Sequence, residues 1–189
     1  MLHHIKVNED IRLTLLNSKL KQQKVMLDLL TKNKLRLVQY FPGLYQKPLS
    51  MKEIYKILKQ KEKSFKNKEV TSYAICSRKN KRIIGEINIY HTLIDAHISY
   101  WIDKEAEGKG IVSQVFDVLR DHLFQKDISA IYASCDKTNT RSIDFLKSKG
   151  LQEVATYNST YQRHFVDLMQ TKRDYLFYKR LEQNQKGRE

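Results

Sequence analysis

Gly108-Lys109-Gly110 is the stretch of this chain best suited to hold a phosphate. It stands just before Val115, Phe116, Val118, Leu119, His122 and Leu123, whose spacing predicts an amphipathic helix. The start of a helix presents backbone N–H groups that lack intrahelical partners, at the positive end of the macrodipole. Glycines at that corner let a diphosphate approach those donors, and Lys109 and the Ser113 hydroxyl would add contacts. Taken alone, G-x-G equally serves a tight turn. Two other phosphate signatures are excluded, since there is no G-x-x-x-x-G-K-[ST] and the loop lacks the third glycine of G-x-G-x-x-G. The spacing therefore points to a phosphorylated ligand other than a dinucleotide redox cofactor.

The elements that must position this loop are written in the apolar periodicity. Residues 11–15 alternate like a strand, and residues 20–37 carry Val25, Met26, Leu29 and Leu30 at helical spacing before a break at Tyr40-Phe41-Pro42-Gly43. Ser50-Met51-Lys52-Glu53 has the capping-box form ahead of Ile54, Ile57 and Leu58, which predicts a second helix. Residues 72–77, 83–90 and 96–102 read as strands joined by short turns, an antiparallel meander. After the glycine loop and its helix, residues 130–135 read as a buried strand, 139–149 as a helix closed by Gly150, and 151–161 and 174–181 as β-rich. With no internal repeat and no low-complexity linker, one domain is expected over residues 1–189, with 182–189 a flexible tail.

Composition bounds the partners. The 189 residues are 41% hydrophobic and 30% charged with two prolines and six glycines, which excludes a disordered or fibrous chain. Lys and Arg total 35 against 21 Asp and Glu, a net charge of +14 that calls for an anionic partner. The lysines crowd into residues 19–82, as in Lys19-Leu20-Lys21 and Lys59-Gln60-Lys61-Glu62-Lys63. An RNA- or ribosome-binding module acting through this basic face is one reading, although no RRM, KH or zinc-finger pattern accompanies it. Cys76 and Cys135 stand far apart, so neither a zinc module nor a disulfide framework is expected. The first residues lack the apolar stretch of a secretory signal, and no apolar run approaches the roughly 18 residues of a spanning helix. A cytoplasmic protein with no membrane contact is expected, as a monomer or homodimer.

Four segments in order carry a family resemblance: Ile98-Ser99-Tyr100-Trp101-Ile102-Asp103, Glu107-Gly108-Lys109-Gly110-Ile111-Val112-Ser113, Asn139-Thr140-Arg141-Ser142 and Lys149-Gly150-Leu151. Together they resemble the GNAT superfamily of acetyl-CoA-dependent N-acetyltransferases, and most closely the branch that acetylates the N-terminal alanine or serine amines of ribosomal proteins. The resemblance spans residues 8–181 and is strongest from Ser99 to Gly150. It implies a mixed, mostly antiparallel α/β sheet of six to seven strands flanked by about four helices, with acetyl-CoA as co-substrate and no metal. The family's diphosphate loop, Q/R-x-x-G-x-G/A, falls on residues 107–112 with two departures. Glu107 replaces Gln or Arg and brings a like charge toward a polyphosphate, and Val112 replaces a small residue.

The resemblance also assigns roles. Gly108, Lys109, Gly110, Ile111, Val112 and Ser113 would hold the diphosphate, and the backbone of Tyr100, Trp101 and Ile102 would meet the pantetheine arm and thioester. Asn139 matches a pantetheine contact and also suits a helix cap; Ser142 matches the hydroxyl that protonates the departing thiolate. Direct attack in a ternary complex needs no covalent intermediate, so Cys76 and Cys135 are expected as buried core residues. Glu86 and His97 on consecutive strands are candidates to accept the amine proton, with Glu69 a third and water a fourth. Tyr157, Tyr161 and His164 fall in the connection that would approach the acceptor. The acceptor amine is expected on a protein N-terminus, an acidic ribosomal protein being one such partner; a small antibiotic or polyamine is the alternative.

Overall fold

In a computed structural model of the chain, residues 2–154 and 175–181 are described, and side chains are described up to Glu153. Eight strands form one sheet: β1 His4–Lys6, β2 Ile11–Leu15, β3 Val70–Ser77, β4 Ile83–His91, β5 Asp95–Ile102, β6 Ala130–Asp136, β7 Gln152–Val154 and β8 Tyr175–Leu181. Their order is β1-β2-β3-β4-β5-β6-β8-β7, and all neighbours are antiparallel except β5 and β6. The sheet is thus mixed and mostly antiparallel, as expected, with one strand more than the upper bound of the sequence reading. The extra pairing is β1, which is only three residues long and carries too little alternation to be read from sequence.

Five α-helices are described: α1 Leu20–Lys32, α2 Lys34–Tyr40, α3 Met51–Lys66, α4 Ile111–Phe124 and α5 Thr140–Ser148. Alternation along the strands sends neighbouring side chains to opposite faces, and the two faces bury separate cores. Tyr73, Ile75, Ile87, Ile89, Ile98 and Ile131 pack with Phe116, Leu119 and Leu146 of α4 and α5. Ala74, Cys76 and Trp101 pack with Met26, Leu30, Leu37, Ile54 and Leu58 of α1 to α3.

Residues 20–37 are not one helix. Asn33 interrupts it with φ −96° and ψ 7° and serves as the C-cap of α1 and N-cap of α2. Its buried amide donates to Leu29 O and Asp103 Oδ1, while its Oδ1 accepts from Lys104 N and Arg36. A side chain that joins both helices to two groups just past the end of β5, Asp103 Oδ1 and Lys104 N, outweighs the helical periodicity around it, because its own buried amide would otherwise be left unpaired. Ser50 caps α3 as its sequence predicts, its Oγ accepting from Glu53 N at 3.2 Å, while the Glu53 carboxylate pairs with Lys56 Nζ at 2.7 Å. Gly150 takes φ +73° behind α5. Among the described residues no helix is long and apolar enough to cross a membrane. Tyr157, Tyr161, His164 and the tail 182–189 lie outside the described residues.

Candidate functional site

The parallel pairing of β5 with β6 is short. It runs from Asp95↔Ala130 to Ile98↔Ala133, whereas β5 continues to Ile102 and β6 to Asp136. Beyond Ile98 the two strands separate, leaving one edge of β5 open among the described residues. Asp103 N donates to Ile84 O at 2.7 Å, so two-residue alternation turns the Trp101 backbone toward β4 as well and points that of Tyr100 and Ile102 into the opening. Trp101 therefore departs from the expected trio of backbone contacts. Its side chain is buried in the α1 to α3 core, where its indole N–H has no partner among the described residues. The Ile102 carbonyl accepts from Arg36, which leaves the Tyr100 groups and the Ile102 N–H facing the cleft.

Gly85 permits this arrangement. A Cβ there would lie 2.5 Å from Trp101 O, closer than real atoms pack, and 3.0 Å from Ile102 Cα, a tight contact. The sequence showed Gly85 only as a residue inside a strand, and close backbone approach is the usual reason for one.

At the end of β5 the chain enters the glycine loop. Gly108 and Gly110 adopt φ +72° and +67°, and Gly110 caps α4 in the left-handed conformation. Side chains rarely adopt that conformation, which gives both glycines a structural requirement. A Cβ at Gly108 would meet nothing within 4 Å among the described residues, so the loop is open on that side. No acidic residue stands in the first turn of α4 and no side chain caps it, so the N–H groups of Ile111, Val112 and Ser113 and the helix dipole face outward. Lys109 Nζ donates to Glu105 O at 2.7 Å across the loop.

The charge of Glu107 is compensated. Its carboxylate bridges Arg36 of α2 at 2.9 Å and Arg141 of α5 at 2.5 Å. Neither arginine stood out in the sequence; the only signal for them was an acidic residue where a phosphate loop should repel one.

Across the cleft, Asn139 caps α5, its Oδ1 accepting from Ser142 N at 3.2 Å. Ser142 Oγ lies 2.9 Å from Tyr100 OH, joining α5 to the open strand. Burial pushes the Tyr100 phenol up from its ordinary value, against the opposing hydrogen bond from Ser142, so it stays protonated. Cys135 lies on β6, and burial pushes its thiol up to about 11; Cys76 is shifted upward for the same reason. Neither is a ready thiolate.

The three sequence candidates for a base stand in different surroundings. Glu86 is buried and ion-paired with Lys61 Nζ at 2.6 Å, in a cluster where Lys61 also reaches Asn88 Oδ1 at 3.0 Å. Accepting a proton there would strip Lys61 of its counter-ion. His97 is fully buried with its Nε2 3.2 Å from Ser134 Oγ, and burial lowers its pKa to about 3. Such an imidazole stays neutral and is a feeble base near pH 7. Glu69 precedes β3 at the end that pairs Val70 with Tyr90, away from the opening beyond Ile98. Among the described residues there is no group of three or more His, Cys, Asp or Glu arranged to hold a metal ion.

Comparison with known proteins bears on this geometry. A sequence profile described as acetyltransferase (GNAT) domain matches residues 12–152. No curated protein is significantly similar in sequence. Among solved structures, RimL, a ribosomal L7/L12 alpha-N-protein acetyltransferase, superposes with a TM-score of 0.75 at 22% identity, covering 96% of each chain. A Salmonella typhimurium acetyl transferase that modifies the N-terminal serine of 50S ribosomal subunit protein L7/L12 gives 0.77 at 20% identity, over 95% of this chain and 99% of that one. The microcin C7 self-immunity acetyltransferase MccE, solved with acetyl-CoA and AMP, gives 0.78 at 18% identity over 96% and 98%. These likenesses share the fold, and the profile covers most of the chain: the protein belongs to the GNAT acetyltransferases, acyltransferases that use acetyl-CoA.

Proposed function

We propose that the protein acetylates a protein N-terminal amine, of the ribosomal-protein kind, with the acetyl-CoA diphosphate on residues 108–113 and the pantetheine arm in the opening between β5 and β6. The observation that carries this reading is the separation of the two strands beyond Ile98 and Ala133, directly beside a helix N-terminus whose glycine loop is open at Gly108 among the described residues. Tyr100 and Ile102 supply backbone groups to the arm, and the Asn139 amide, already holding the start of α5, faces it from the other wall.

The amine nitrogen attacks the thioester carbonyl carbon, the C–S bond breaks, and Ser142 gives its proton to the thiolate while the Tyr100 hydroxyl holds it in place. The proton lost from nitrogen passes to water, and water returns a proton to the Ser142 oxygen, so the serine ends the cycle as a hydroxyl. No strong base is required if the acceptor is an α-amine, whose pKa of about 8 leaves roughly a tenth of it neutral at pH 7; a lysine side chain at about 10.4 would be almost wholly charged. The state of Glu86 and His97 supports that choice of acceptor. The lysines of residues 19–82, many of them exposed on α1 and α3, support an acidic macromolecule as its carrier. We assign the activity to a single cytoplasmic domain.

A small-molecule amine is the second reading, favoured by the likeness to MccE. Thiol release from acetyl-CoA with N-terminal peptides, aminoglycosides and polyamines, followed by mass spectrometry of the product, separates the two. Turnover of alanine- or serine-ended peptides is expected; turnover confined to small amines would overturn the N-terminal assignment.

A further inference from the structure

Glu107 and its two arginines span the mouth of the cofactor cleft. The carboxylate sits at the entry to the glycine loop; Arg36 reaches it from α2, on one face of the sheet, and Arg141 from α5, on the other. The two arginines are held very differently. Arg36 is 29% exposed and also donates to the Ile102 carbonyl and to Asn33 Oδ1, so its guanidinium is fixed to the end of β5. Arg141 is 62% exposed, and its guanidinium makes its bond to Glu107 from the first turn of α5, one residue before Ser142.

We infer that the Glu107–Arg141 pair is a latch across the cofactor cleft: the diphosphate of CoA takes Arg141 from Glu107, and Arg36 keeps the released carboxylate neutralised. This rests on the reading that the loop at residues 108–113 holds the diphosphate. The physical grounds are the asymmetry of exposure and bonding, which names Arg141 as the arm that moves, and the strength with which a guanidinium binds phosphate oxygens. Glu107 is then a positioning residue with two consequences. It holds the loop to α2 through Arg36, and it competes with the cofactor for Arg141. Arg141 becomes a phosphate ligand supplied from the helix that carries the proton donor, so cofactor binding draws α5 toward the loop.

The sign of one substitution tests this. Glu107→Gln keeps the side-chain shape and removes the competitor, so it should tighten CoA binding by about 5-fold, whereas Arg141→Ala should weaken it by about 10-fold. In the Glu107→Gln/Arg141→Ala double variant the 5-fold gain should vanish, because a latch has nothing to release once its arm is gone. Isothermal titration of CoA into the four proteins reads these values, with pantetheine, which carries no phosphate, expected to bind all four alike. Weaker CoA binding by Glu107→Gln, or an equal gain in the Arg141→Ala background, would overturn the latch in favour of a loop-supporting carboxylate or a general field effect. If the wild-type protein binds CoA no better than pantetheine, the diphosphate is not on the loop, and both the latch and the reading beneath it fail.

Discussion

The two faces of the sheet are built on different principles. On the side of α4 and α5 the interior is almost wholly apolar, and the site stands on backbone: two left-handed glycines, a bare helix N-terminus and an unpaired strand edge. On the side of α1 to α3 the sheet buries charge and amide, in a hub of Asn33, Asp103 and Arg36 at one end of β5 and in the Lys61, Glu86, Asn88 and Ser72 cluster beneath α3. On the proposed reading a diphosphate and a pantetheine arm meet largely backbone groups, which almost any sequence can supply once the chain is bent correctly. On the opposite face side chains fix geometry through partners distant in sequence.

Substitutions on the two faces should separate stability from cofactor binding. The largest effect is expected from Lys61→Met, which leaves the Glu86 carboxylate buried without its counter-ion and should cost about 3–5 kcal/mol in chemical denaturation. Lys61→Met/Glu86→Leu should recover most of that loss, and failure to do so would show the cluster to be more than an ion pair. On the backbone side, Gly110→Glu should lower CoA affinity by about 100-fold, near 2.7 kcal/mol, by placing a carboxylate at the helix N-terminus. Its cost in stability should be only about 1–2 kcal/mol from the left-handed conformation. Ser142→Ala should lower the turnover rate by about 100-fold while CoA binding, measured by calorimetry, holds within a factor of two to three.

Acid sharpens the same contrast more gently. The pKa of His97 falls from 6.5 to about 3 on folding, so between these values the unfolded chain binds the extra proton. Stability is therefore full above about pH 6.5 and declines as pH falls toward 3, by at most about 1.4 kcal/mol per pH unit from this group. Denaturation profiles of His97→Gln should be flatter over that window; an unchanged slope would place the acid sensitivity elsewhere.

The contrast between the faces also explains what could be read in advance. The glycine loop, the helix behind it, the Ser50 cap and the strand meander are each encoded within a few consecutive residues, and all are found where their spacing places them. The break at Asn33 overrode a regular helical pattern, because the groups that hold Asn33 lie some seventy residues away at Asp103 and Lys104. Glu86 and His97 were correctly seen as strand residues, but their availability as bases depended on what packs over them. Lys61 comes from a different helix, and burial of His97 is a property of the whole sheet.

By itself the sequence determined the mixed α/β class, the position of the glycine loop and the family, since each rests on local periodicity or on the order of short motifs. Tertiary structure alone decided how Glu107 is neutralised, which backbone groups of β5 face the cleft and why Gly85 must lack a side chain. Those outcomes depend on groups brought together from distant parts of the chain, and a charge, a carbonyl or a missing Cβ acquires its meaning only from the atoms that fold against it.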